Sequence, residues 1–150
     1  MSNERCESVA PAVEELTVLS DRVRVLTHGD ATEGRYEVFE VMGAAGGGAP
    51  PHRHLWDEEF HVTEGTMEIF VGDSRRWYGA GESVRVPAGV VHGFRIGDSG
   101  AKFLALTSPH GASRLFRALH EAGRNGSLTS ADIARIASLH GVHGPSAPHP

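Results

Sequence analysis

From residue 22 to residue 107 the chain consists of short runs rich in β-branched and aromatic residues, each closed off by glycine. The runs are RVRVLT, RYEVFEVM, EFHVTEG, TMEIFVG, ESVRVP, HGFRIG and KFLALT. Gly29-Asp30, Gly34, Gly46 to Gly48, Gly72-Asp73, Gly79, Gly81, Gly97-Asp98 and Gly100 punctuate them. Strands this short leave no room for a helix of useful length between them, which predicts an antiparallel sandwich or barrel. The preceding VEELTVLS can supply a first short strand. The whole length of 150 residues suits one domain with one core.

The period changes after Thr107. SRLFRALHEAG places Leu115, Phe116, Leu119 and Ala122 on one helical stripe and reaches a C-terminal signal at Gly123. TSADIARIASLHG repeats the pattern with Ile133, Ile136, Ala137 and His140, ending at Gly141. Thr129 through Asp132 reads as a helix start with an acid in the first turn. Both helices are expected to lay an apolar face on the outside of the sheet. The organisation expected is a flexible arm at 1–15, a β-barrel at 16–108, a helical pair at 109–142 packed on it, and a disordered tail at 143–150.

Charge narrows the function classes. Fourteen Lys and Arg against nineteen Asp and Glu give a net charge of −5, with no basic run. That argues against nucleic acid or an anionic membrane surface, and the helices lack a basic recognition face. Cys6 is the single cysteine, so no intrachain disulfide forms and no oxidising compartment is demanded. Set in a polar leader, Cys6 is not read as a nucleophile. No run resembles a signal peptide or a membrane span, and a cytoplasmic protein is expected. GAAGGGAPP lacks the lysine and following helix of a phosphate loop. Ten histidines are the compositional oddity.

Three of them cluster in PPHRHLWDEEFHVTEG, residues 50 to 65. Side chains alternate along a strand, so His52 and His54 point the same way, roughly 6.6 Å apart. Pro50-Pro51 restricts the backbone ahead of them. Among Asp57, Glu58 and Glu59 the pleat decides: 58, 60 and 62 share a face, and 60 and 62 are Phe and Val. Glu58 therefore faces the interior, while Glu59 and His61 face water. A buried unpaired carboxylate costs several kcal/mol, so Glu58 needs a cation or strong partner. By the same test His92 shares the inner face with Phe94 and Ile96. His52, His54, Glu58 and His92 are thus read as ligands of one divalent ion, with one or two coordination positions open. Phe60 and Phe94 serve as core and as substrate-binding wall. Trp56 and Trp77 are further candidates for an aromatic pocket. His110 is read as a solvated loop residue, and His140, His143 and His149 as an irregular tail.

Gly46-x5-His52-x-His54-x3-Glu58-x6-Gly65, followed by Gly81-x5-Pro87-x-Gly89-x2-His92, closely resembles the two signature motifs of the cupin superfamily. The short gap between them, Thr66 to Ala80, and the flanks resemble small single-domain bacterial members of the quercetin-dioxygenase-like kind. Four residues after the last ligand, where asparagine is frequent, stands Ile96. The resemblance implies a double-stranded β-helix, the jelly-roll barrel, and a homodimer. It also implies a mononuclear site for Fe, Mn, Ni, Cu or Zn. The function it implies is a dioxygenase acting on a small enolic or aromatic compound, with Glu58 also acting as catalytic base. Two alternatives stand beside it: a non-redox isomerase, cyclase, dehydratase or decarboxylase, and a binding protein without turnover.

Overall fold

The computed structural model describes residues 13–145. Eight strands run in chain order: β1 (Glu14–Val18), β2 (Asp21–Thr27), β3 (Glu37–Gly43), β4 (Gly48–His52), β5 (Asp57–Val71), β6 (Ser74–Gly79), β7 (Ser83–Val86) and β8 (His92–Ser108). Two helices follow, α1 (Ala112–Arg124) and α2 (Ser130–Leu139). Of the arm expected at 1–15, residues 1–12, with Cys6, lie outside the described residues, and Glu14 already opens β1. His149 and the rest of 146–150 also lie outside them.

EFHVTEG and TMEIFVG, two strands to the eye, are one fifteen-residue strand; HGFRIG and KFLALT are likewise one strand of seventeen. Each long strand bends at a glycine. Gly65 (φ 72°) and Gly100 (φ 77°) adopt the left-handed backbone, and a Cβ on Gly65 would lie 2.0 Å from the Gly100 carbonyl oxygen. Register shifts between Val62 and Glu64 and between Gly65 and Met67 sharpen the bend, since a bulge kinks its strand. The first half of β5 pairs with β7 and with the second half of β8, which also pairs with β3. The second half of β5 pairs with β6 and with the first half of β8, which also pairs with β4. Two half-sheets, hinged at the glycines, therefore fold over one another as a jelly roll. Phe94, from one half, meets Phe60 and Phe103 of the other edge-on at 5.7 and 5.4 Å.

SRRWYG, β6, is a strand that sequence periodicity passes over, because at the sheet edge four of its six residues are exposed. Pairing with the second half of β5 holds it in place.

The helices correct one expectation. Phe39, Val41 and Val23 are buried on the face that pairing shares with Ala105 and Phe103, the inner face. Phe116 of α1 meets Phe39 at 5.0 Å, so α1 covers the inner face of the β1–β3 extension and not the outside of the sheet. An apolar stripe goes where apolar surface is uncovered, and that surface is on the inside. Helix α1 also runs past Gly123 to Arg124. Its start has no capping side chain of its own. Glu37, on β3, accepts the amide hydrogens of Gly111 (2.8 Å) and Ser113 (3.3 Å) through Oε1. Burial pushes the Glu37 carboxyl up, but those bonds outweigh it and hold it below the ordinary glutamate value. Helix α2 carries the capping box anticipated at Thr129–Asp132. Beyond α2, His143 exchanges two backbone hydrogen bonds with Arg53 (2.9 and 3.0 Å), placing the first residue of the expected tail beside β4.

Candidate metal centre

Four side chains converge from three strands and one turn. His52 ends β4, His54 follows it by two residues, Glu58 stands near the start of β5, and His92 opens β8. The pleat places Glu58 inward, between Asp57 and Glu59, which are both exposed. Asp57 instead braces the backbone, because its Oδ1 accepts the Ala88 amide hydrogen at 2.9 Å and pins the Pro87-Ala88-Gly89 turn that delivers His92. The Gly89 amide in turn donates to the His54 carbonyl at 2.7 Å, tying the two ligand-bearing segments together.

One nitrogen from each of His52, His54 and His92 lies within 4.8 Å of the other two, a grouping that can hold a metal ion. The ring centroids of His52 and His54 stand 4.3 and 4.6 Å from that of His92. His54 and His92 are buried; His52 is partly so. Glu58 Oε2 approaches Nε2 of His54 at 3.0 Å and of His92 at 3.3 Å.

The Nδ1 partners set the chemistry. His52 Nδ1 donates to the Pro50 carbonyl (2.7 Å), His54 Nδ1 to the Trp56 carbonyl (3.0 Å), and His92 Nδ1 to the Val90 carbonyl (2.8 Å). A carbonyl only accepts, so each Nδ1 carries its hydrogen and each neutral ring has its lone pair on Nε2. Backbone carbonyls that fix the tautomer in this way are the usual support of a metal-ligating imidazole. Burial, with His92 nearby, depresses the His52 pKa to about 4, so that ring is neutral near pH 7. For Glu58, burial pushes the pKa up, but hydrogen bonds and positive charge from His54 and His92, which act only while a proton sits on Nε2, outweigh it and hold the pKa at about 2. Lone pairs on Nε2 and an anionic oxygen 3.0 Å away repel unless a proton or a cation lies among them. A divalent ion meets that need for all four groups at once, and three neutral imidazoles with one carboxylate leave the centre at +1. The donor set fits a metal ion.

Around the cluster, Phe60 is buried and Phe94 half-buried, and with Phe103 they form three mutual edge contacts of 5.4 to 5.7 Å. Trp56 stacks on His54 at 4.2 Å with the rings 10° from parallel. Trp77, with its ring under Arg95, is 48% exposed on the outer surface and takes no part in the site. His61 bonds Ser83 Oγ at 2.6 Å on the outer face, and His110 Nδ1 donates to the Gly34 carbonyl at 3.0 Å; neither reaches the cluster. The supporting carbonyls of Pro50, Trp56 and Val90 escaped sequence reasoning. Their one signal is position, two residues from each histidine.

The barrel and its interior cluster define a class: jelly-roll proteins with three histidines grouped inside so that they could hold a metal ion. The sequence matches the family described as "Cupin domain" over residues 39–107, a span that holds all four converging side chains. Residues 39–107 are thus a cupin domain. KdgF from Halomonas sp. is similar at 18% identity and a TM-score of 0.61, with 67% of this chain and 90% of that one covered. The polyketide cyclase RemF from Streptomyces resistomycificus is similar at 26% identity and a TM-score of 0.57, covering 67% and 77%. A cupin described as a sugar phosphate isomerase, from Silicibacter pomeroyi, is 26% identical with a TM-score of 0.50, covering 59% and 60%. No curated protein matches the sequence. Among the described residues no helix is long and apolar enough to cross a membrane.

Proposed function

We propose that the protein is a metal-dependent enzyme that binds one divalent ion through His52, His54, Glu58 and His92 and acts on a small enolic or aromatic compound. The observation that carries this reading is the triple Nδ1–carbonyl arrangement, which turns three lone pairs toward one point beside a buried carboxylate. When bound, the ion supplies Lewis acidity toward a substrate oxygen and, if redox-active, access to dioxygen. The chain does the rest. Glu58 is anionic at neutral pH and can take the proton from a substrate hydroxyl. Phe60 and Phe94 seat the carbon skeleton and exclude water. Dioxygenation is the reaction we infer first, from the resemblance of the two motifs to quercetin-dioxygenase-like cupins.

A second reading is non-redox isomerisation or cyclisation. It is favoured by the similarity, at 26% identity each, to structures named as a cyclase and an isomerase. Elemental analysis of untagged protein, with an oxygen electrode and a panel of phenols and diketones, separates the two. Oxygen consumption with a redox metal supports dioxygenation; turnover of an enolisable compound without it supports the second. His54→Ala and Glu58→Ala are expected to lose the metal and all turnover. A Glu58→Ala protein that keeps a full equivalent of metal and full activity refutes the ligand assignment. The homodimer, inferred from family likeness alone, is tested by light scattering, where a monomer mass at working concentration refutes it.

A further inference from the structure

The triplet that carries two of the four converging side chains is held by a segment from the far end of the chain. Strand β4 pairs with β8, but the register slips between Ala49 and His52, and the pairing ends at His52 opposite His92. Arg53, set between His52 and His54, has a different partner. Its amide donates to the His143 carbonyl at 2.9 Å, and its carbonyl accepts the His143 amide hydrogen at 3.0 Å, an isolated antiparallel bridge. The Arg53 side chain, 7% exposed, reaches the same segment, with Nη1 3.5 Å from the Pro145 carbonyl oxygen.

The end of α2 delivers that bridge. Gly141 takes the left-handed backbone at φ 76°. Its amide donates to the Ser138 carbonyl at 3.2 Å, and the Val142 amide donates to the Ala137 carbonyl at 3.0 Å. These two bonds are the Schellman arrangement, which turns the chain back at a helix end. The turn buries Val142, 8% exposed, and lays His143 along Arg53. Two backbone bonds in opposite senses fix both dihedrals of Arg53, and with them the relation between two imidazoles whose centroids stand 5.6 Å apart. A metal site tolerates only about 0.5 Å of play in its ligands, so rotation at Arg53 would part His52 from His54.

We infer that His143 is a positioning residue of the metal centre that acts through its backbone. The segment after α2 clamps Arg53 and so holds His52 and His54 at the separation that one divalent ion requires. This inference rests on the metal-dependent reading above. It adds the segment expected from sequence to be a plain tail to the parts that set metal affinity. The His143 imidazole takes no part, since among the described residues the grouping that can hold an ion is His52, His54 and His92.

The test uses the full chain with cobalt(II) as the probe. Affinity is read by competition with a chelator, and ligand geometry by the visible absorption bands of the bound ion. His143→Pro removes the amide hydrogen that the Arg53 carbonyl accepts, whereas His143→Ala keeps both backbone bonds and loses only the ring. His143→Pro is expected to bind cobalt(II) at least about tenfold more weakly, with shifted absorption bands. His143→Ala is expected to stay within about twofold of the parent, with the parent spectrum. Without metal, His143→Pro is expected to melt cooperatively within a few degrees of the parent, because the clamp is local. Parent affinity and spectrum in His143→Pro overturn the inference. An equal loss in His143→Ala also overturns it, because the ring and not the backbone then acts. So does a metal-free His143→Pro protein without a cooperative transition, because the segment then holds the whole fold and not the site. A parent that takes up no cobalt(II) counts instead against the metal-dependent reading, and removes the ground of this one.

Discussion

Asp21 opens β2 at the turn after β1, and its Oδ1 is buried without a partner. Its neighbours are two glycines: a Cβ built on Gly43 or Gly47 would lie 3.6 or 3.7 Å from that oxygen. Gly47 belongs to the loop that launches β4, the strand bearing His52. Desolvation alone raises the Asp21 pKa from 3.8 to about 6. The native state therefore binds more protons than the unfolded chain between those values, and stability falls as pH rises through them. The stabilising share is fully present below pH 3.8 and lost above about 6. At 1.36 kcal/mol per pH unit the interval amounts to about 3 kcal/mol. Asp21 remains partly open to solvent, which cuts this to about 1–2 kcal/mol. Asp21→Asn keeps the shape and removes the charge. It is expected to stabilise the protein by about 1–2 kcal/mol at pH 7.5, or roughly 2–8 °C in melting temperature, with the difference vanishing near pH 4. Urea unfolding of both proteins at half-unit intervals from pH 4 to 8 measures the difference directly. A parent as stable as Asp21→Asn at pH 7.5, or a difference independent of pH, would refute the argument from burial.

Three further perturbations test how the site is held. Gly65→Ala places a methyl 2.0 Å from the Gly100 carbonyl oxygen at φ 72°, and a loss of at least about 2 kcal/mol in urea unfolding is expected; an unchanged midpoint would show that the bend does not need glycine. Glu37→Gln weakens the grip of β3 on the start of α1, with an expected loss of about 1–2 kcal/mol while one metal per chain is retained; loss of the metal would mean that Glu37 belongs to the site. Trp56 lies flat on the His54 ring, so in a Trp77→Phe background one equivalent of copper(II) should quench the remaining fluorescence, and Trp56→Ala should weaken metal binding about tenfold. Copper bound without quenching would place the ion elsewhere.

Much of this site is legible along the chain because a strand alternates its faces. Phe60 and Val62 reveal that Glu58 turns inward and Glu59 outward, and Phe94 and Ile96 do the same for His92. Those inferences need only a period of two. The glycine punctuation is equally local, and it restricts residues 22 to 107 to short strands before any contact is known. What lies across the sheet is not legible. That EFHVTEG and TMEIFVG are one strand depends on Gly65 meeting Gly100, thirty-five residues away, and that polar SRRWYG is a strand depends on its partner in β5. The inward docking of α1 depends on Glu37 receiving amides from residues 111 and 113 and on Phe39 receiving Phe116. The hydroxyl of Thr107 reads in sequence as one more β-branched strand residue. Only when the ladder sets it between Glu37 and Glu58 does its lack of a partner become visible, because hydrogen-bond satisfaction is a property of neighbours in space and not of neighbours in the chain.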